Sequence, residues 1–227
     1  MKKYIFLLIL FLFFIKCNAQ GRGKSSDIGI FAGGSYYIGD INTAKQFYLM
    51  NPTFGIFLRR NFNPRYSLRA GIYAGSIGAH DADSKYLYQK MRNYSFYTSL
   101  IDFSVLGEFN FIPYMIGDDK KIFSPYTFVG FTFLKAETYH LAIPLGFGFK
   151  FNVAKRIGIE LEWGFRRAFT DLIDNTTGID IPNRSVQHNS FNSKQTGYYH
   201  SNDWYSFVGI NLIYKFFEER GNCKAYY

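Results

Sequence analysis

Ile157-Gly158-Ile159-Glu160-Leu161-Glu162-Trp163-Gly164-Phe165-Arg166 is the stretch on which the reading of the fold turns. Its odd positions are all apolar, whereas its even positions hold glycine, two carboxylates and a guanidinium. Adjacent side chains on a β-strand point to opposite faces, so this segment is a strand with one greasy and one charged face. The run before it repeats the pattern. Leu141, Ile143, Leu145, Phe147, Phe149 and Phe151 share one face, and Ala142, Pro144, Gly146, Gly148, Lys150 and Asn152 share the other. Ala154-Lys155-Arg156 makes the tight connection between the two runs.

The same alternation recurs on either side. Val208, Ile210, Leu212, Tyr214 and Phe216 oppose Gly209, Asn211 and Lys215, and Ile101, Phe103, Val105 and Phe109 oppose Asp102, Ser104 and Glu108. Weaker versions occur around Ile28–Ile38, Phe54–Arg59 and Leu68–Ala74. In the run from Ser124 to Lys135, Phe128, Phe131 and Phe133 break the parity and no face can be assigned. The candidates number eight, near 27–38, 52–62, 66–77, 97–112, 124–136, 141–153, 157–170 and 203–217. Most reach the ~9–11 residues that a membrane-crossing strand needs. Connections near 61–65, 114–121 and 154–156 are short; those at 39–50, 79–96 and 171–202 are longer, and 137–140 is brief. His80, His140, His188 and His200 all fall in these predicted loops.

A soluble sandwich or lipocalin-like barrel also alternates, but it would be polar outside and greasy inside. Here the charged faces are sparse and padded with Gly, Ser and Asn, which suits a narrow interior, while the apolar faces of the clearest strands lack Lys, Glu and Asp. Trp, Tyr and Phe stand partly at the strand ends, as interface girdles do. An aromatic content of 21% fits this picture without deciding it. The predicted fold is all-β: an eight-stranded antiparallel transmembrane β-barrel with short periplasmic turns and longer external loops.

At the N-terminus, Met1-Lys2-Lys3, an apolar run from Tyr4 to Ile15 and Lys16-Cys17-Asn18-Ala19 read as an export signal cleaved after Ala19. Lys16 argues against a lipid on Cys17, because lipoprotein signals place a small residue there. The organisation is thus a signal peptide at 1–19, a barrel at 20–217 and a periplasmic tail at 218–227, located in the outer membrane of a Gram-negative bacterium. Cleavage removes three lysines, so the formal charge falls from +9 to +6 (23 basic against 17 acidic residues). For an exported basic protein, an anionic membrane surface is a more natural partner than nucleic acid.

Eight strands enclose a space that side chains just fill. The predicted inward set is Arg59, Arg69, Asp102, Glu108, Lys150, Glu160, Glu162, Arg166 and Lys215. Mixed charges in a low-dielectric interior persist only when paired, so a salt-bridge network plugging the barrel is favoured over an ion pathway. Glu160 and Glu162 flanked by cations resemble ion-pair partners more than a general acid and base, and the chain does not read as an enzyme. The four histidines lack ligand spacing, and neither a phosphate-cradling glycine motif nor a nucleophile constellation is readable; no metal, cofactor or small-molecule substrate is expected. The loop 171–202 is polar and reads as a solvated surface rather than a binding loop. The tail carries Arg220, Cys223, Lys224, Tyr226 and Tyr227 and is either a docking segment for a partner or a frayed end. Cys223 alone survives cleavage, as an inert thiol or one half of an intermolecular disulfide.

Ser35-Tyr36-Tyr37-Ile38-Gly39-Asp40-Ile41-Asn42 resembles the tyrosine-x-glycine-aspartate-x-asparagine opening of the PorG-like outer-membrane barrels of the type IX secretion system in Bacteroidetes. Asn202-Asp203-Trp204-Tyr205-Ser206-Phe207 with the cysteine-bearing tail, Arg69-Ala70-Gly71 and Gly78-Ala79-His80-Asp81-Ala82-Asp83 are similar too. The resemblance implies a structural component of protein secretion, associated on its periplasmic side with the PorK/PorN ring and, in gliding species, with motility. It brings no catalytic residues. A small porin or channel and a surface-binding adhesin are the alternatives.

Overall fold

The computed structural model describes residues 24–39, 41–42, 45–83, 87, 90, 95–118, 121–136, 138–169 and 203–218. The signal segment, the loop 171–202 and the tail residues Arg220, Cys223, Lys224, Tyr226 and Tyr227 lie outside them. The strands are β1 (Ser25–Ile38), β2 (Asn51–Asn61), β3 (Tyr66–His80), β4 (Ser95–Asn110), β5 (Phe123–Lys135), β6 (Tyr139–Asn152), β7 (Ile157–Ala168) and β8 (Trp204–Glu218). Each pairs antiparallel with the next, and β8 returns to β1 to close the barrel. That seam runs from Ser25 opposite Glu218 to Ile38 opposite Trp204, with one register shift between Ser26 and Asp27. Closure leaves no edge, the condition under which a sheet can sit in hydrocarbon.

Alternation sorts the residues onto two surfaces. Outward side chains form a continuous apolar belt, with Phe54 63% and Phe131 74% exposed. A water-soluble protein rarely exposes such an area, whereas a lipid-facing wall requires it. Among the described residues no helix is long and apolar enough to cross a membrane; the crossing is made by strands of 11 to 16 residues.

Three expectations need correcting. β3 runs on to His80 and pairs with a β4 that starts at Ser95, so the hairpin continues into the expected loop at 79–96. Gly78 and Ala79, beyond the expected strand end at 77, sit opposite Tyr97 and Phe96, and Phe96 packs edge-on against Tyr37 at 4.9 Å. β6 likewise starts at Tyr139, so His80 and His140 are strand residues rather than loop residues. Third, β5 alternates without a break: Tyr126, Phe128, Thr132 and Leu134 are buried inside, and Phe131 and Phe133 face out. Phe128 misleads because its ring lies over the Arg69 guanidinium, 5.2 Å away, where an apolar ring serves the interior.

The connections 62–65, 111–122 and 153–156 lie at the end where β1 begins and β8 finishes. In bacterial barrels this short-turn end faces the periplasm. The turn 111–122 does more than connect. Tyr114 and Ile116 are buried, and burial raises the pKa of the Tyr114 phenol. Asn152 Nδ2 donates toward the carbonyls of Met115 (2.9 Å), Lys121 (3.0 Å) and Asp118 (3.3 Å). Gly117 adopts φ 86° with its α-carbon against Lys155, where a Cβ would meet the Lys155 carbonyl oxygen at 2.3 Å. The turn therefore docks across the mouth onto its neighbour at 153–156.

Candidate functional site: the filled interior and its two ends

The inward faces of β2, β3, β4, β6 and β7 each contribute a buried charge to one cluster. Glu108 on β4 is its hub: Arg59 Nε (3.0 Å), Arg69 Nε (3.0 Å) and Lys150 Nζ (2.6 Å) all reach its carboxylate. Arg59 also grips Glu160 with both terminal nitrogens, at 2.6 and 2.7 Å. Such fork-to-fork pairing is the strongest form an ion pair takes. Arg69 Nη1 donates to Glu162 Oε2 at 2.6 Å, and the same oxygen accepts from Tyr126 (2.7 Å) and Asn211 (3.2 Å). Lys150 stands beside Glu160 at 3.8 Å and over the Tyr126 ring at 4.4 Å.

A second group lies nearer the loop end. Arg166 Nε donates to Asp102 Oδ2 at 2.8 Å, an oxygen that also accepts from Tyr205 at 2.9 Å. The Arg166 guanidinium sits 3.7 Å from the Phe207 ring centre. Tyr73 and Tyr205 also lie against it, and Phe31 packs on Tyr73 and Phe207 to complete an aromatic layer. Lys215 stands apart from both groups: its Nζ donates to the Ile116 carbonyl at 2.5 Å and pairs with Glu218 at 3.0 Å, tying the mouth turn to the last strand. The interior thus reads from the turn end upward as apolar cover, ion pairs, then aromatics.

Tyr126, Phe31 and Phe207 are the members that sequence reasoning missed, whereas Tyr73, Tyr205 and Asn211 fall on the expected inward faces without an assigned role in the network. A tyrosine in a barrel strand reads equally well as a girdle residue, and only its parity within the strand tells the two apart. Among the described residues no group of three or more His, Cys, Asp or Glu side chains is placed to hold a metal ion. Each carboxylate in the cluster already faces a cation, so the chemistry available is structural: the charges hold one another and fill space.

At the loop end, Tyr37 donates to Asp203 at 2.6 Å across the chain. Asn42 donates to the Tyr37 carbonyl at 2.7 Å and accepts from the Lys45 amide at 3.0 Å, which folds residues 45–50 back onto the barrel. Tyr48 in this segment donates to Asp83 at 2.5 Å. Burial first, then the Asp83 hydrogen bond and charge, push its pKa up to about 12.

Residues 2–225 match the family model described as a domain of unknown function, DUF6089. The chain belongs to that family. No curated protein matches its sequence. Among solved structures it is similar to Neisserial surface protein A, at 8% identity and a TM-score of 0.52 over 86% of this chain and 100% of that one. The N-terminal β-barrel domain of Pseudomonas aeruginosa OprF (10% identity, TM-score 0.41, 84% and 99% covered) and Ail of Yersinia pestis (11%, 0.44, 85% and 100%) also match. The likeness to Neisserial surface protein A establishes the fold of this DUF6089 chain: a closed eight-stranded antiparallel barrel like the outer-membrane proteins of Gram-negative bacteria.

Proposed function

We propose that the protein is a structural outer-membrane component of the type IX protein secretion system, associating through its periplasmic end with PorK/PorN-type ring proteins. The observation that carries this reading is the interior. Ion pairs and rings occupy it and a turn covers its periplasmic mouth, so the molecule works through its surfaces rather than through a lumen. The specific assignment rests on the sequence resemblance to PorG-like barrels. Two of the stretches that carry it, around Tyr37 and Asp203, are distant in sequence and bonded in space. The tail with Arg220, Cys223, Lys224, Tyr226 and Tyr227, together with the turns at 111–122 and 153–156, is where the ring would be met. Such a role calls for no cofactor, nucleic acid or small-molecule substrate, and its lipid neighbours are those of the outer membrane.

The test is an affinity pull-down of the tagged full-length protein from gently solubilised native membranes, with mass spectrometry of what accompanies it. Co-recovery of a periplasmic lipoprotein and its ring partner is the expected result. Recovery of the folded barrel alone, from confirmed outer membrane, would overturn the assignment in favour of a surface binder.

A further inference from the structure

The lipid-facing wall is not uniformly convex. In its loop-end half, Ala32 and Gly34 on β1 and Val208 on β8 form a floor of small residues. Met50 stands on one side and Leu161 and Trp163, backed by Phe147 and Phe149 of β6, on the other, enclosing an apolar trough of about 710 Å³. The registers put Gly34 beside Val208 and Val208 beside Trp163 in one lateral row, with Ala32, Ile210 and Leu161 in the next. The trough is therefore continuous across the β1–β8 seam.

Its upper wall is fixed. Trp163 Nε1 donates to Tyr36 (2.9 Å) and Ser206 (3.1 Å), and Tyr36 donates to Gln46 at 2.8 Å. Phe47 lies against Trp163 at 5.2 Å and Tyr36 at 5.4 Å. Phe47 and Leu49 hold left-handed φ values of 58° and 44°, which non-glycine residues adopt only where surrounding contacts impose them. Residues 45–50 are thus clamped to the outside of the barrel, and they shape the trough before anything enters it.

We propose that this trough binds one acyl chain of a phosphorylated lipid of the external leaflet, with Arg167 meeting the anionic head group. The accessible lining of the trough is almost wholly apolar, with Phe147 and Phe149 of β6 extending it beyond Trp163 and Leu161, which suits a polymethylene chain. The trough opens directly onto hydrocarbon, so its entrant comes from that phase. Arg167 is four residues beyond Trp163 on β7, roughly 13 Å further toward the rim. It faces outward and is exposed, with its guanidinium 5.9 Å from the Trp204 ring centre, at the depth where head groups meet aromatic side chains. A chain that lies in the trough and runs up the outside of β7 brings its head group to the depth of the Arg167 guanidinium. A second trough of about 420 Å³, around Ala70 and walled by Ile56, Ile72, Phe103 and Val105, supplies an internal control.

The test uses the refolded full-length barrel in detergent, with native mass spectrometry against bisphosphorylated lipid A and against a phosphatidylcholine of matched chain length. The wild type retains one lipid A. Ala32→Phe combined with Val208→Phe fills the floor and lowers retention about tenfold, as losing the burial of roughly two methylene groups would. Ala70→Phe leaves retention unchanged, and Arg167→Gln weakens lipid A while sparing phosphatidylcholine. Equal retention by the floor variant, or equal loss from Ala70→Phe, overturns the proposal. Loss of a dimer in the floor variant reassigns the trough to a second copy of the chain and also overturns it. Should the floor variant fail to fold, a photoreactive acyl chain on lipid A decides with the wild type: adducts at Met50 and Leu161 support the site, and adducts spread evenly to Ile56 and Phe103 refute it.

Discussion

Glu108 is contacted by three cations in a space closed to water, so its charge is the one the interior can least spare. Glu108→Gln keeps the shape but leaves Arg59, Arg69 and Lys150 sharing the remaining carboxylates. The expected loss is about 3–5 kcal/mol, the usual cost of breaking a buried pair; reversible urea unfolding in lipid vesicles measures it. Lys135→Ala, where an exposed ammonium sits over Tyr139 at 5.8 Å, should stay within about 0.5 kcal/mol in the same assay. Tyr48 gives a prediction in pH. Its folded pKa of about 12 lies above the ordinary 10.0, so the neutral phenol is the form that folding favours. That contribution is fully present below pH 10 and is lost as pH rises toward 12. NMR of ring-labelled tyrosine should show this shift, and Asp83→Asn should lower it toward the ordinary value.

At the scale of strands, the decisive contrast is between two glycines. A Cβ on Gly33 would meet the Val208 carbonyl oxygen at 2.2 Å, and backbone there cannot yield cheaply; on Gly107 the nearest atom is 3.7 Å away. Gly33→Ala should therefore lower stability by about 1–3 kcal/mol, while Gly107→Ala should be neutral or gain up to about 1 kcal/mol; comparing urea midpoints checks both. Much of this architecture was legible in the sequence, because lumen and lipid impose opposite chemistries on alternate residues of β6 and β7. Legibility failed where one face borrowed the other's chemistry. Phe128 is apolar yet inward, because a ring suits the face of Arg69. Tyr36 is outward yet buried, because residues 45–50 fold back over it, an event no local pattern encodes. Gly146 and Gly148 fit the expectation of a narrow interior, but which ring each leaves room for, Phe128 and Tyr126 respectively, follows only from the packing. Within the interior, sequence parity nominated the charged members, while their pairing partners follow only from the register around the barrel.

The whole molecule is a cylinder stopped at one end by the turn 111–122 and filled through its middle by ion pairs. Planar-bilayer recordings of the purified protein should accordingly show no conductance steps above those of a protein-free membrane, and a stable ohmic channel would contradict the filled interior. The β1–β8 seam has a consequence for how the protein comes to exist. The first strand to leave the ribosome waits for the last, with nearly the whole chain between Ser25 and Glu218 held open meanwhile. Contacts of such sequence separation form late and slowly. Until then the chain presents two naked strand edges and a row of aromatics to an aqueous compartment, conditions that favour clumping. Biogenesis must therefore include an escort that shields the nascent wall, and a chain truncated before Trp204 becomes a burden to quality control instead of a smaller barrel.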